Sequence, residues 1–405
     1  MNSKYITGID IGNASTKTVI AEFLPDTQIP RIVGVGTVPS NGLRRGMVVD
    51  MEEATKSVRD SVQQAELMSG AKVREAFVSI NGLHIKTQSS RGVIAVSRAD
   101  NEIAQSDITR LTDAASTVSL PSNYEIIHVI PRTFIIDGTE RVKNALGMKG
   151  VRLEVEVLLV EGLSPYIRNL AKCVTANGIE VAEFVFAPLA SAQAALDKHQ
   201  REYGSALLDI GGGVSTIAVY HEGELIHTAV LPIGSRHITN DLAIAFRTSL
   251  DKAESIKISH GSVGISDLGN KKDSIDLASV LGEEDAVVPR RQIIKIIEAR
   301  ISELFDMVSA ELKRPQSASM LPAGLVITGG GANTIGLAGF AKNRLGLAIK
   351  IGTSASYEGV SEQLNDPAYA VAIGLVLWGS EHGATIQSVP LISQKFIKWV
   401  KSFIP

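Results

Sequence analysis

The sequence predicts a two-domain α/β protein with an inserted α+β subdomain and an amphipathic helix at its C-terminal end. Three observations carry this. Apolar strand-like runs alternate with helical patterns along most of the chain. The phrase apolar strand, Asp-Ile-Gly, small polar turn, apolar strand occurs at Asp10 and returns at Asp209, about half the chain later. From Leu391 onward, large apolar residues and lysines alternate with helical rather than strand spacing.

The elements follow in order. Tyr5 to Ile11 reads as a strand, Gly12-Asn13-Ala14-Ser15-Thr16 as a tight polar turn, and Lys17 to Phe23 as a second strand. Met51 to Met68 is helical, with Asp50 as N-cap and Gly70 as stop. Residues 84–162 differ in texture: strand-like at Val93–Val96, Ile126–Ile136 and Arg152–Val160, helical at Ser106–Thr117. They read as a compact insertion. Helices are expected at Ser164–Asn177, Ala190–His199 and Ser235–Phe246. The longest is Arg291–Leu312, with Ile294, Ile297, Ile301, Leu304 and Val308 at helical spacing. In the second half, Ala206–Ile210 and Ile217–Tyr220 flank Gly211-Gly212-Gly213-Val214-Ser215-Thr216. Measured to its Ser-Thr pair, this turn is one residue longer than the first. Gly261 to Pro289, rich in Gly, Ser and acidic residues, reads as a surface loop with a short hairpin. Such a long-period repeat predicts two related domains facing each other.

Composition narrows the function classes. At 405 residues the chain is long enough for two cores, and 44% hydrophobic with 20% charged residues is ordinary for a globular protein. A net charge of −3 offers no global basic surface to displace counterions, so no nucleic-acid partner is expected. The single cysteine, Cys173, can make neither an internal disulfide nor a thiolate metal cluster, and is expected in the core. No signal-peptide pattern precedes the first strand. No apolar run reaches the roughly 18 residues that would span a bilayer.

Phosphates need backbone N–H groups brought close together, which glycine permits. Gly12 with Asn13, Ser15, Thr16 and Lys17 supplies one such turn, and Gly211-Gly212-Gly213 a second. Two such turns on opposite halves can clamp a polyphosphate. Asp10 and Asp209 end buried strands beside them, positions suited to a hydrated Mg²⁺ on the phosphates. Lys17 would neutralise phosphate charge. A third cluster, Gly329-Gly330-Gly331-Ala332-Asn333, follows an apolar run and lets the backbone approach an adenine or ribose. Glu254 and Lys257, one helical turn apart, would reach the adenosine from the other side. Each feature alone is ordinary: a strand end, a loop, a solvated helix face. Three glycine turns and two matched aspartates in this order point to ATP. No Walker A pattern is present.

These motifs carry a resemblance. Gly8-Ile9-Asp10-Ile11-Gly12 and Leu208-Asp209-Ile210-Gly211-Gly212-Gly213 resemble the two phosphate motifs of the actin, sugar-kinase and heat-shock-chaperone superfamily. Ile327-Thr328-Gly329-Gly330-Gly331-Ala332 resembles its adenosine motif, Ala253-Glu254-Ser255-Ile256-Lys257 its adenine-side helix, and Pro367 to Gly374 its second connecting helix. Within it, the insertion, its Asn144-Ala145-Leu146-Gly147-Met148-Lys149-Gly150-Val151-Arg152-Leu153 segment and the terminal helix are similar to the FtsA family of bacterial cell-division proteins. That resemblance implies an actin-like, ribonuclease H-like fold. Residues 1–83, 163–197 and 366–379 would form subdomain 1A, 84–162 subdomain 1C, 198–228 and 306–365 subdomain 2A, and 229–305 subdomain 2B. Residues 380–390 would be a linker and 391–405 the membrane helix. It also implies ATP and Mg²⁺ as ligands, self-assembly into filaments, and recruitment of later division proteins. The tubulin-like FtsZ would dock its C-terminal peptide near the long helix, where Arg300 and Glu303 match the contact positions. Filament-forming relatives often show Glu-Pro at the start of the first connecting helix. Here it is Ala187-Pro188, and a methyl group cannot orient water, so weak or absent ATPase activity is expected. A pilus-assembly homologue and a small-molecule kinase of the same superfamily are the alternatives.

In the terminal segment, Phe396, Ile397, Trp399, Val400 and Phe403 fall on one helical arc, with Lys395, Lys398 and Lys401 on the other. That is the pattern of an interfacial helix, apolar face in the acyl boundary and lysines at anionic head groups. The expected location is the cytoplasmic face of the cell membrane at the division septum.

Overall fold

The computed structural model describes residues 4–23, 29–264, 274–278, 287–314, 321–354, 357–359 and 362–382. The expected membrane helix at 391–405, with its Phe396, Ile397, Trp399, Val400, Phe403 and lysines, lies outside the described residues.

Two sheets of matching topology form the two halves. In the first, Lys4–Ile11, Ser15–Phe23 and Arg31–Pro39 make an antiparallel meander. Glu75–Ile80 joins its open side in parallel, and Glu180–Phe186 joins that. In the second, Ser205–Ile210, Ser215–His221 and Glu224–Leu231 repeat the meander, and Leu325–Thr328 and Ile349–Ile351 repeat the parallel pair. This doubled order is the α/β architecture that the Asp-Ile-Gly repeat predicts.

The structure corrects the turn lengths. Ile11 pairs with Thr16 and Ile210 with Ser215. Gly12 N–H donates to the Ser15 carbonyl at 3.2 Å, and Gly211 N–H to the Val214 carbonyl at 3.1 Å. The two hairpins therefore have one length and one closing bond. The Ser-Thr pair is a false yardstick, because register is set by the turn geometry and not by side-chain identity. Lys17, opposite Asp10, corresponds to Thr216, opposite Asp209.

The helices fall where their patterns place them, with one exception. Met51–Ser69 is capped by the Asp50 carboxylate, which accepts from Glu52 and Glu53 N–H, and stops at Gly70 at φ 71°. Arg290–Lys313 buries Ile294, Ile297, Ile301, Leu304 and Val308 in the second core. The helix expected at Ala190–His199 instead runs Ala187–Ala195 and breaks before Lys198–Tyr203. Pro188 sits at the first turn, where its missing N–H costs nothing, and Asp197 caps the second piece. Ala370–His382 is the last helix among the described residues. Cys173 is buried in the first core. The hairpin expected within 261–289 forms from Ser274–Asp276 and Val287–Pro289.

The insertion is a four-stranded antiparallel sheet in the order Ile85–Ala95, Arg152–Leu163, Tyr124–Ile136, Glu140–Val142. The helix Gln105–Ser116 packs Leu111 and Ala115 into its core. Its first strand begins well before the expected Val93, because Lys86 to Arg91 is polar and carries no alternating signal. One of its strands touches both halves. His128 Nε2 accepts from Phe186 N–H at 3.0 Å, and Arg132 donates to the Ile226 carbonyl at 2.8 Å. Burial, with the nearby His382 adding, pulls the His128 pKa down to about 4, so the ring stays a neutral acceptor.

Replacing His128 by leucine leaves the Phe186 N–H without its acceptor. The expected loss is about 1–3 kcal/mol at pH 7, measured by denaturant unfolding. A histidine depressed on folding contributes stability above about pH 6.5, and loses it as pH falls toward 4. The gap between wild type and His128→Leu therefore narrows over that window.

Candidate nucleotide site between the two hairpins

The two turns meet tip to tip. A Cβ on Gly212 would lie 2.8 Å from the Ala14 Cβ, and one on Gly213 would lie 2.6 Å from the Asn13 amide carbon. Only glycines on one side allow this approach. Behind the second turn, Ser235 and Arg236 N–H donate to the Gly211 and Gly212 carbonyls at 2.8 and 2.9 Å. The helix Ser235–Ala245 thus holds the turn's carbonyls away from the cleft.

Asp10 and Asp209 line the cavity between the tips, with Lys17 the only cation among its lining side chains. Asp10 accepts from Ser79 Oγ at 2.8 Å, and its other oxygen lies 3.9 Å from Lys17 Nζ. Burial pushes the Asp10 carboxyl above its ordinary value against the opposing pull of Lys17 and Ser79. Burial likewise raises Asp209 to about 7, with the charge of Asp10 adding and that of Lys17 opposing. Two desolvated carboxylates share one ammonium, an electrostatic arrangement that a bound cation relieves. Asp10 and Asp209 are thus a donor set that fits a hard cation with most of its waters. Gly329 closes the cavity at φ 82°, and a Cβ there would fall 2.1 Å from an Asp209 oxygen.

Of the residues singled out in the sequence, Asp10, Gly12, Asn13, Ser15, Lys17, Asp209, Gly211, Gly212, Gly213, Gly329 and Gly330 line this one cavity. Five others do not. Thr16 is fully buried and donates to Ser40 Oγ at 3.2 Å. Gly331 packs against Ile210. Asn333 donates to Asp366 at 2.8 Å. Glu254 and Lys257 pair with each other at 2.6 Å, with Thr239 bonded to both. The sequence reading missed Gly46, Ser79, Asn81 and Ser235, which also line the cavity. A signal for one of them was present: Asn81 belongs to an Asn-Gly turn pair that ends the apolar strand Glu75–Ile80. Ala187, at the start of its helix, lines the cavity as well.

Arg300 is already engaged. Its Nε and Nη2 reach the two Asp241 oxygens at 2.8 and 2.9 Å, and its Nη1 reaches Glu303 at 2.6 Å. It ties the long helix to Ser235–Ala245, whose N-terminus backs the second turn.

A family profile described as "Cell division protein FtsA" matches residues 206–374, and one described as "SHS2 domain inserted in FTSA" matches 82–161. The chain is 39% identical to the cell division protein FtsA of Bacillus subtilis, covering 93% of this chain and 83% of that protein. It is 35% identical to the Pseudomonas aeruginosa protein, covering 93% and 90%. The chain belongs to the FtsA family of cell-division proteins. The family's inserted domain coincides with the four-stranded sheet, so the expected α+β insertion is present. Among solved structures, the PilM-PilN type IV pilus biogenesis complex aligns at a TM-score of 0.68 with 16% identity, over 93% of this chain and 98% of that one. MreB5 of Spiroplasma citri bound to ADP aligns at 0.57 with 14% identity, over 95% and 99%. These place the FtsA-family chain in the actin-like fold. The pilus protein shares that fold, but the division proteins share the sequence.

Two measurements test this geometry. Asp209 is raised on folding, so its protonated form contributes stability that is full below about pH 4 and lost as pH rises through about 7. Without added metal, Asp209→Asn should melt a few degrees above wild type at pH 8, with the difference vanishing at pH 4. Second, a double-mutant cycle of Arg300→Ala and Asp241→Ala should give a coupling energy of about 1 kcal/mol, as expected for a partly buried bidentate pair.

Proposed function

We propose that this cell-division protein binds Mg²⁺-ATP between its two hairpins and uses it as an assembly ligand. The single observation behind this reading is the equal-length pair of glycine turns facing each other across Asp10 and Asp209. Adenosine would lie against Gly329 and Gly330, and the phosphates between Gly12–Ser15 and Gly211–Gly213. Asp10 and Asp209 would hold Mg²⁺ through its waters, and Lys17 would sit on the phosphates. When bound, the metal supplies charge neutralisation on the phosphate oxygens. The same fold carries ADP in the MreB5 structure, which supports a nucleotide here. Ala187 at the cavity wall offers no group to orient an attacking water, which favours binding over rapid hydrolysis.

The further reading follows the family. The chain would polymerise on the cytoplasmic face of the membrane at the septum, tether FtsZ filaments there and recruit later division proteins. No helix among the described residues is long and apolar enough to cross a membrane. Attachment would rest on Phe396, Ile397, Trp399, Val400 and Phe403, with Lys395, Lys398 and Lys401 at the head groups. One such helix anchors weakly, but a polymer carrying many binds by avidity, so assembly and attachment form one function. In this reading FtsZ's C-terminal peptide docks beside Glu303, which is half exposed, with Arg300 held by Asp241 behind it. Subdomains 1A, 1C, 2A and 2B would divide the chain at the boundaries given above.

Liposome pelleting decides between attached and soluble behaviour. Full-length protein should co-sediment with anionic vesicles, more strongly with Mg²⁺-ATP. A chain ending at Val389 should stay in the supernatant while keeping nucleotide binding. Asp209→Asn should lose the Mg²⁺-ATP enhancement but keep basal lipid binding. Equal pelleting by the truncated and full-length chains would refute the membrane assignment.

A further inference from the structure

The cavity's charge does not balance for a triphosphate. Its charged lining side chains are Asp10, Asp209 and Lys17, one cation against two anions. Mg²⁺-ATP brings further net negative charge, so a site that prefers it over ADP needs a cation beyond Lys17.

A candidate stands at the edge. Leu43 pairs with Val48 and Arg44 with Met47, leaving Arg45 and Gly46 as a two-residue hairpin turn. Arg45 has φ 52° and Gly46 φ 79°. Both central residues are left-handed, which is the type I′ turn, where Asn-Gly is the favoured pair. Arginine at the first position is strained by about 1 kcal/mol, and nothing in the turn's own geometry rewards it. Its side chain is exposed and has no hydrogen bond or ion pair among the described residues. The turn itself is firmly placed. Gly46 N–H donates to Asn13 Oδ1 at 2.8 Å, and the Arg45 carbonyl lies against Gly82. Asn13, Gly46 and Asn81 all line the cavity. A strained, unpaired arginine is therefore fixed one residue from the cavity wall, beside the first phosphate turn.

We propose that Arg45 is a specificity-determining residue that pairs with the terminal phosphate and makes this protein distinguish ATP from ADP. The inference rests on the Mg²⁺-ATP reading above. With adenosine against Gly329 and Gly330, the phosphate chain would run toward the first turn, where Asn13 holds Gly46 of the Arg45-Gly46 hairpin in the cavity wall. Guanidinium suits this role because its fork of donors matches phosphate oxygens. Arg44 lies in the strand pair rather than in the turn and serves as the control.

Equilibrium dialysis with labelled ATP and ADP in Mg²⁺, on the full-length chain, tests the proposal. Asn fits the turn better than Arg, so Arg45→Asn should melt at or above the wild-type temperature. Its ATP affinity should fall about tenfold or more, the scale of a charge-assisted hydrogen bond. ADP affinity should change less than about threefold on the same scale. Arg44→Gln should leave both affinities near wild type. Equal loss for ATP and ADP, no loss for either, or an equal effect from Arg44→Gln would each overturn the assignment. If the wild-type chain binds neither nucleotide, the Mg²⁺-ATP reading itself fails, and Arg45 with it.

Discussion

Everything in the centre of this molecule is arranged around two acidic side chains that are largely withdrawn from water. Asp10 and Asp209 end equivalent strands and face the same cleft, with one lysine between them. Burying like charges together is costly, and the fold does not avoid it: the strand register dictates both positions. The raised affinity of Asp209 for a proton is the visible cost. The glycines follow from the same constraint. Gly329 cannot carry a side chain because Asp209 occupies that space, and Gly212 cannot because the first turn does.

The pseudo-symmetry is broken where chemistry requires it. Lys17 stands opposite Asp10, whereas its counterpart Thr216 stands opposite Asp209 and is buried without a hydrogen-bond partner for its hydroxyl among the described residues. Cationic character therefore gathers on the first half. Asn13 continues this, because its amide holds Gly46 and with it the Arg45 turn.

The insertion is mechanically part of the same assembly. Its strand Tyr124–Ile136 rests on the first half through His128 and on the second through Arg132. The residue His128 grips, Phe186, is followed at once by Ala187 in the cavity wall. The cavity wall is thus one residue from the hydrogen bond that joins the first half to the insertion. The ion pair of Arg300 with Asp241 similarly links the long helix to the helix that backs the second turn. Residues that look like surface charge in the sequence are ties between elements.

The sequence by itself determined the halves, their repeat and most of the cavity. Strand-end aspartates, glycine runs and apolar periodicity are local signals, and a chain carries them without knowing its fold. It also determined the capped helix at Met51–Ser69 and the buried stripe of Arg290–Lys313. Tertiary structure alone decided what depends on distance between remote segments. Thr16, Asn333, Glu254 and Lys257 are polar groups whose partners in the fold, Ser40, Asp366 and one another, no spacing in the sequence reveals. Ser79 and Gly46 look like ordinary strand and turn residues until the sheet brings them beside Asp10 and Asn13. Side-chain type sets what a residue can bond to, and only the packing of distant strands sets which partner is within reach.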